Sequence, residues 1–233
     1  MSVPALRHIA FIMDGNRRWA QRYAADGLYD DQAIKAIFEA VVACKSHGVS
    51  YISLYAFSLE NLTQRDETLK AHFFKALVRV CTEKKSLFLE HGVKVRFVGA
   101  RSHFSFSVSQ AINELEAATA GESGITMQVL FCYGAQQEIA DAASRIAYDV
   151  VAGILSADAV TPELFSTYLW AAPAPFPDLI IRTGGAHRLS NFLLYQAAYS
   201  ELMFLDCLWP EMTREKVGRC IEKFSTIKRN FGA

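Results

Sequence analysis

Six apolar runs of strand length recur along the chain, at 8–13 (HIAFIM), 50–57 (SYISLYAF), 93–98 (VKVRFV), 125–133 (ITMQVLFCY), 178–182 (DLIIR) and 201–206 (ELMFLD). Between them the spacing of apolar positions changes to that of a helix. In 32–47, Ala33, Ile34, Ile37, Phe38 and Val41 fall on one helical face, and His47-Gly48 reads as its stop because glycine takes a left-handed C-cap freely. Leu69, Phe73, Leu77, Val80, Cys81, Leu87 and Phe88 give a second helical stretch over 66–91. Val108, Ile112 and Leu115 give a third over 107–120, and Ile139, Ala143, Ile146, Val150 and Ile154 a fourth over 136–155. Strands alternating with helices predict an α/β fold with a mainly parallel sheet covered on both faces. In such sheets ligands bind beyond the carboxyl ends of the strands. There is no internal repeat. The proline-rich stretch WAAPAPFPD (170–178) is too short for a linker and reads as a rigid lead-in to the next strand, so residues 1–233 form a single domain.

Composition narrows the function. Of 233 residues, 52% are hydrophobic, enough for a large core, and 24 basic residues balance 24 acidic ones. That balance argues against a nucleic-acid partner held by bulk charge and leaves room for a local anion site. Five cysteines without a C-x-x-C spacing suggest neither a disulfide framework nor a zinc site, and favour a reducing, cytoplasmic setting. No charged-then-apolar leader opens the chain and no apolar run approaches membrane-spanning length, which still permits peripheral membrane contact.

Three polar segments follow apolar runs, where the binding edge is expected. The first is Asp14-Gly15-Asn16-Arg17-Arg18-Trp19. Gly15 permits a tight turn, and amides opening a helix beside two guanidiniums make an anion site. A carboxylate beside a bound anion repels it unless a divalent cation bridges them, and Mg²⁺ suits one carboxylate plus phosphate oxygens. Asp14 is therefore either a metal ligand or a helix cap. The second is Ser58-Leu59-Glu60-Asn61, a hydroxyl, a carboxylate and a carboxamide able to orient a substrate proton, or an N-cap. The third, IIRTGGAHRLSNF (180–192), sets Arg182 and Arg188 around a Gly-Gly turn with Ser190 beside them, a second phosphate clamp without P-loop spacing. Glu201, heading an apolar strand, is either a second metal ligand or an arginine partner. Two anion clamps, one or two carboxylates and strongly apolar helices suit apolar molecules carrying diphosphate heads.

HIAFIMDGNRRWA, SLYAFSLEN, VLFCYGAQQEI, IIRTGGAHRLSNFLLYQAAYSELMFLDCLWPE and the terminal KRNFGA, in that order, closely resemble segments of the cis-prenyltransferases, the undecaprenyl diphosphate synthase family, over residues 8 to 232. The resemblance implies a six-stranded parallel sheet, an elongated apolar tunnel for a growing chain, and a homodimer. It implies an allylic diphosphate such as farnesyl diphosphate on Gly15, Asn16, Arg17 and Arg18, and isopentenyl diphosphate on Arg182, Arg188 and Ser190. Asp14 and Glu201 match the magnesium-linked carboxylates, and Ser58 and Asn61 the pair near the proton that is lost. Trp19, Glu60, Leu62 and Arg65 fall within the substrate-binding segments. The implied reaction is condensation to a Z-polyprenyl diphosphate, undecaprenyl diphosphate as lipid carrier being the expected product.

Departures from the family pattern cluster at the first clamp. In QRYAADGLYDDQAIKA (21–36) the family's histidine falls at Asp30 or Asp31 and its arginine near Asp26 or Gly27. Those aspartates either add negative charge to the clamp or cap the following helix. Leu62 stands where the family has tryptophan, the following arginine is displaced to Arg65, and Ala186 replaces a glutamate. Besides regular cis elongation, two alternatives follow: short-chain or irregular, lavandulyl-type coupling, and a weakly active partner subunit.

Overall fold

The computed structural model describes residues 6–23 and 29–228. Six strands form one sheet: β1 (His8–Ile12), β2 (Tyr51–Ser58), β3 (Val93–Val98), β4 (Ile125–Tyr133), β5 (Leu179–Arg182) and β6 (Glu201–Phe204). Their order is β3-β4-β2-β1-β5-β6 and every pairing is parallel, as the alternation of elements predicts. The helices are α1 (Asn16–Tyr23), α2 (Tyr29–Ser46), α3 (Leu59–Gln64), α4 (Glu67–Glu83), α5 (Lys85–Glu90), α6 (Phe106–Thr119), α7 (Ala135–Val151), α8 (Pro162–Tyr168) and α9 (Arg214–Ser225).

The stretch expected as one helix over 66–91 is divided at Lys84, which caps both α4 and α5 with non-helical backbone. An unbroken helix there would run ~39 Å, past the end of strands that short. The break lets Phe88 fold in against Phe38, ring centroids 5.2 Å apart.

Strand alternation sorts the core into two halves. Ile9, Phe11, Ile52, Leu54, Val95 and Met127 point to the face covered by α2, α4, α5, α6 and α9. Ala10, Ile12, Leu130 and Ile180 point to the other, under α7 and the segments around 171 and 192. β1 is the pivot, since β2, β4 and β3 lie on one side of it and the chain then crosses to β5 and β6 on the other. That switch opens a crevice at its carboxyl end.

The second face also carries a buried polar row. His8 Nδ1 donates to the Pro175 carbonyl at 2.6 Å, Nε2 lies 2.9 Å from Ser53 Oγ, and Ser53 donates to Gln128 Oε1 at 3.1 Å. Gln128 Nε2 donates to the Ala171 carbonyl, so the row binds the proline-rich 171–177 stretch to the sheet. Burial lowers the His8 pKa from 6.5 to about 4, against the upward pull of the Pro175 carbonyl and Asp178. The folded ring therefore stays neutral down to about pH 4, whereas the unfolded chain binds a proton below its ordinary 6.5. Between these values protons favour unfolding, and stability rises with pH. The expected loss is on the order of 3 kcal/mol from pH 6.5 to 4. Urea denaturation of wild type and His8→Gln at several pH values measures it: the difference between their slopes should vanish above pH 6.5.

No helix of the described residues is long and apolar enough to cross a membrane.

Candidate active site

β1, β2 and β5 are neighbours and end on one edge, where Ile12 pairs with both Tyr55 and Arg182. The segments after these strands form a cleft of about 640 Å³. The chain leaves β1 through Gly15, whose φ of +105° and contact with Leu208 leave no room for a Cβ (2.8 Å from Leu208 Cδ2). This turn delivers Asn16 and the two arginines at the start of α1, whose first turn holds no acidic residue. Asn16 Nδ2 donates to the Met13 carbonyl, and its Oδ1 is buried without a partner.

Asp14 is the hub. Arg182 Nη2 donates to its Oδ2 at 2.9 Å, and Arg18 Nη2 approaches Oδ1 at 3.3 Å. Arg182 is almost fully buried and donates through Nη1 to Ser190 Oγ (2.8 Å) and to the Arg188 carbonyl (2.6 Å). Its Nε is buried with no acceptor. One guanidinium thus ties both expected clamps together and keeps an unmet donor, which a phosphate oxygen would satisfy. Gly184, at φ +83°, closes the link, its carbonyl accepting from Arg18 Nη2 at 2.9 Å. Ser190 and Asn191 both take left-handed backbone, at φ 53° and 62°, a strained conformation typical of ligand-holding loops.

Ser58 caps α3, its hydroxyl accepting from the Asn61 amide at 3.1 Å, and both residues line the cleft. Asn61 Oδ1 accepts from Arg65 Nε at 2.8 Å, and the Arg65 guanidinium lies over the Phe73 ring. Burial, then the nearby Arg17 charge, lowers the Arg65 pKa.

Of the expected site residues, Asp14, Gly15, Asn16, Arg17, Arg18, Ser58, Asn61, Arg65, Arg182, Arg188 and Ser190 share the cleft walls. Four do not. Trp19 packs at a tilt against Tyr23, ring centroids 4.9 Å apart, and Leu62 packs against the hydrophobic core. Glu60 accepts from Asn191 Nδ2 at 2.6 Å and so braces the Ser190 loop from outside. Glu201 pairs with Leu179 at the start of β5, on the opposite edge from Arg182 and Asp14. Three strand residues separate Glu201 from the Arg182 level, ~10 Å at 3.3 Å per residue, so it does not share a metal ion with Asp14 of the same chain.

Asp31 does not enter the cleft either. It pairs with Arg79 at 2.7 Å and lies 3.8 Å from Lys84, both near the end of α4. The side chain of Asp30, the positions 26 and 27, and most of the terminal KRNFGA lie outside the described residues.

Some wall residues carried no signal in the motifs. Tyr55 donates to the carbonyls of Tyr133 and Ser190, holding the second clamp to the sheet, and burial raises its pKa. Asp66, a second carboxylate on the wall, caps α4 by accepting from the Leu69 amide at 2.8 Å. An aspartate just before a helical period is a cap signal visible in the sequence.

The cleft opens into an apolar cavity of about 280 Å³ between α2, α4 and the sheet. Met13, Asn16, Arg17, Ala56, Arg65, Leu69 and Phe73 belong to both. Beyond this neck the walls are hydrocarbon, with Phe131 stacked on Phe57 at 5.1 Å and Trp209 edge-on to Phe11 at 5.8 Å. Such a site can hold highly charged oxyanions at one end and an apolar chain at the other.

Comparison with known proteins bears on this arrangement. A curated relative, the ditrans,polycis-undecaprenyl-diphosphate synthase ((2E,6E)-farnesyl-diphosphate specific) of Pseudomonas putida, is 42% identical over 99% of this chain and 91% of its own. Among solved structures, a probable undecaprenyl diphosphate synthase from Campylobacter jejuni matches at a TM-score of 0.82 with 31% identity, covering 98% of this chain and 99% of that one. The lavandulyl diphosphate synthase of Lavandula x intermedia, solved with dimethylallyl diphosphate, matches at 0.91 over the same shares, but at 24% identity it is a likeness of fold alone. The model of the undecaprenyl diphosphate synthase family matches residues 12–232, taking in both clamps and the cavity between them. With charged cleft, apolar cavity and sequence in agreement along nearly its whole length, the chain belongs to the undecaprenyl diphosphate synthase family of prenyltransferases.

Proposed function

We propose that this chain condenses isopentenyl diphosphate, held on Arg182, Arg188 and Ser190, with an allylic diphosphate held on Gly15, Asn16, Arg17 and Arg18, extending a Z-polyprenyl chain. The observation that carries the reading is the shared neck, where a cleft walled by four guanidiniums besides Arg65 passes directly into hydrocarbon. Arginines aimed at a departing diphosphate stabilise charge that develops in the transition state. Binding two substrates across one edge supplies effective concentration.

The donor set fits Mg²⁺ arriving with a diphosphate. Asp14 offers a carboxylate to the cleft, and among the described residues no group of three or more His, Cys, Asp or Glu could hold an ion unaided. Mg²⁺ is commonly bound by one or two carboxylates together with phosphate oxygens. Bound there it would neutralise charge on the leaving diphosphate. Asn61 is a neutral amide and no base. With Oδ1 committed to Arg65, it has Nδ2 left to orient a substrate oxygen, and the proton lost from isopentenyl diphosphate passes to bound diphosphate.

The product we favour is undecaprenyl diphosphate for a lipid carrier, primed by farnesyl diphosphate, made in the cytoplasm and released at a membrane surface. The homodimer we propose would meet at the open edge of β6, where Leu202 is exposed and His187 stacks on Phe204. The modest cavity favours a second reading, a short-chain product.

Radiolabelled isopentenyl diphosphate with farnesyl or dimethylallyl diphosphate and Mg²⁺, followed by chain-length analysis, separates these. Long products support the first reading, C10 or C15 branched products the alternative, and absence of turnover removes both. In the same assay Arg188→Ala should raise KM for isopentenyl diphosphate at least about tenfold and leave that for the allylic substrate nearly unchanged. Equal effects on both would reverse the assignment of the clamps.

A further inference from the structure

The apolar cavity is small for the chains its relatives are named for. A dry cavity of ~150 Å³ takes one benzene, so about 280 Å³ holds on the order of a dozen carbons. Growth beyond that length requires its walls to separate, because packed side chains leave little slack. The sheet cannot move without breaking its ladder. The movable walls are α2, through Ala33, Ile34 and Ile37, and α4, through Phe73, Leu77 and Val80.

Each of these helices has other neighbours. α2 packs on α9 and on the turn at 209–211, whose Trp209 also lines the cavity, and α4 packs on α6. Across the cavity they are joined by an ion pair. Asp31 Oδ1 accepts from Arg79 Nη2 at 2.7 Å, with Lys84 Nζ at 3.8 Å. Neither partner lines the cavity, but each lies close in sequence to residues that do, Asp31 two residues before Ala33 and Arg79 immediately before Val80. Arg79 Nε is buried without a hydrogen-bond partner, so Asp31 is the acceptor that fixes this guanidinium.

We infer that the Asp31–Arg79 pair, with Lys84 beside it, is a strap between the two cavity-wall helices that limits how long a chain the protein makes. The inference rests on the chain-extending reading above. The pair is suited to yielding: Asp31 is 48% and Arg79 34% exposed at the side chain. Such a pair is screened by salt, and its restraint is modest and reversible. It resists separation of the helices while the chain fits and gives way when a growing chain presses on Ile37 and Val80. Neither residue lines the cleft, so the first condensation does not depend on them.

The test compares wild type with Asp31→Asn, Arg79→Gln and the charge-reversed double variant Asp31→Lys/Arg79→Glu. Labelled products made from farnesyl diphosphate should lengthen by at least one C5 unit on average in each single variant. The rate of the first addition should stay within about twofold, and the double variant should return to the wild-type distribution. Raised NaCl should lengthen wild-type products and leave Asp31→Asn unmoved. Unchanged or shorter products in the single variants, or no recovery in the reversed pair, overturn the strap. A readout independent of turnover is calorimetric binding of n-alkyl phosphates of roughly C10 to C18. The longest should gain affinity at least about threefold relative to the shortest in Asp31→Asn. An unchanged preference rejects the strap whether or not the protein proves active, whereas a gain in binding without turnover rejects the chain-extending reading alone.

Discussion

Replacing Asp14 by alanine is expected to lower kcat about 10³-fold and to leave the melting temperature nearly unchanged. Two effects oppose each other at this position. Removing a carboxylate from among four guanidiniums makes the cleft more positive, which favours diphosphate binding. It also removes the carboxylate that we propose as the ligand for Mg²⁺. KM for the allylic substrate should therefore hold or fall while kcat collapses, and the residual rate should no longer respond to Mg²⁺. Arg182 and Arg18 lose their carboxylate, but the fold survives because the backbone bonds remain: the Asp14 carbonyl accepts from the Trp209 amide at 3.0 Å and from Thr183 Oγ1 at 2.7 Å. Arg182 keeps Ser190 and the Arg188 carbonyl. Steady-state kinetics at varied Mg²⁺, paired with thermal denaturation, check both halves. A variant at full rate removes Asp14 from the chemistry.

Glu138→Ala is expected to have the largest effect on stability, about 3–5 kcal/mol, a fall of roughly 10 °C in Tm. Glu138 has no exposed surface and accepts three hydrogen bonds: from Tyr133 Oη at 2.5 Å, Gln196 Nε2 at 3.0 Å and the Ala171 amide at 2.9 Å. Alanine would strand all three donors in the interior and leave a cavity. The site would feel it, because Gln196 ends the loop that carries Arg188 and Ser190. KM for isopentenyl diphosphate should rise alongside the loss of stability. Glu138→Gln should cost less than half as much. Its Oε1 can still accept from Ala171, and the Gln196 amide can turn over so that its presently unpartnered Oε1 receives the new NH₂. Urea denaturation of both variants distinguishes this network from simple loss of volume, which would penalise only alanine.

Much of the architecture is legible in the sequence because it is written locally. The six apolar runs are the six strands, within about two residues at most ends, since a buried strand shows its own apolar residues regardless of what pairs with it. The clamp segments fall where a strand stops, and in a parallel sheet all strands stop on one edge. The same rule separates Glu201 from Asp14 and Arg182 within one chain: it heads its strand, whereas Asp14 follows its own and Arg182 ends its own. α9 is missing from the sequence reading: Val217, Cys220, Ile221 and Phe224 are spaced for one helical face, but they sit within a mixed, charged composition.

What the linear pattern withholds is which charges meet. Asp14 carries the same motif whether it caps a helix, binds a metal or anchors Arg182, and the partner it takes lies 168 residues away. Asp31 reads as a helix cap or as one more negative charge beside the first clamp until α4 brings Arg79 to it across 48 residues. Glu60 sits between two cleft residues and faces neither, because one step along a helix turns a side chain by about 100°.

By itself the sequence determined the strands, the parallel sheet and the edge where the charged cleft lies, since periodicity, turns and strand ends are properties of neighbouring residues. Only the tertiary structure decided that a single buried arginine joins the two clamps, that the cleft empties into hydrocarbon, and that α2 and α4 are tied across it. Those are contacts between distant segments, set by strand order and helix crossing, and no local pattern encodes them.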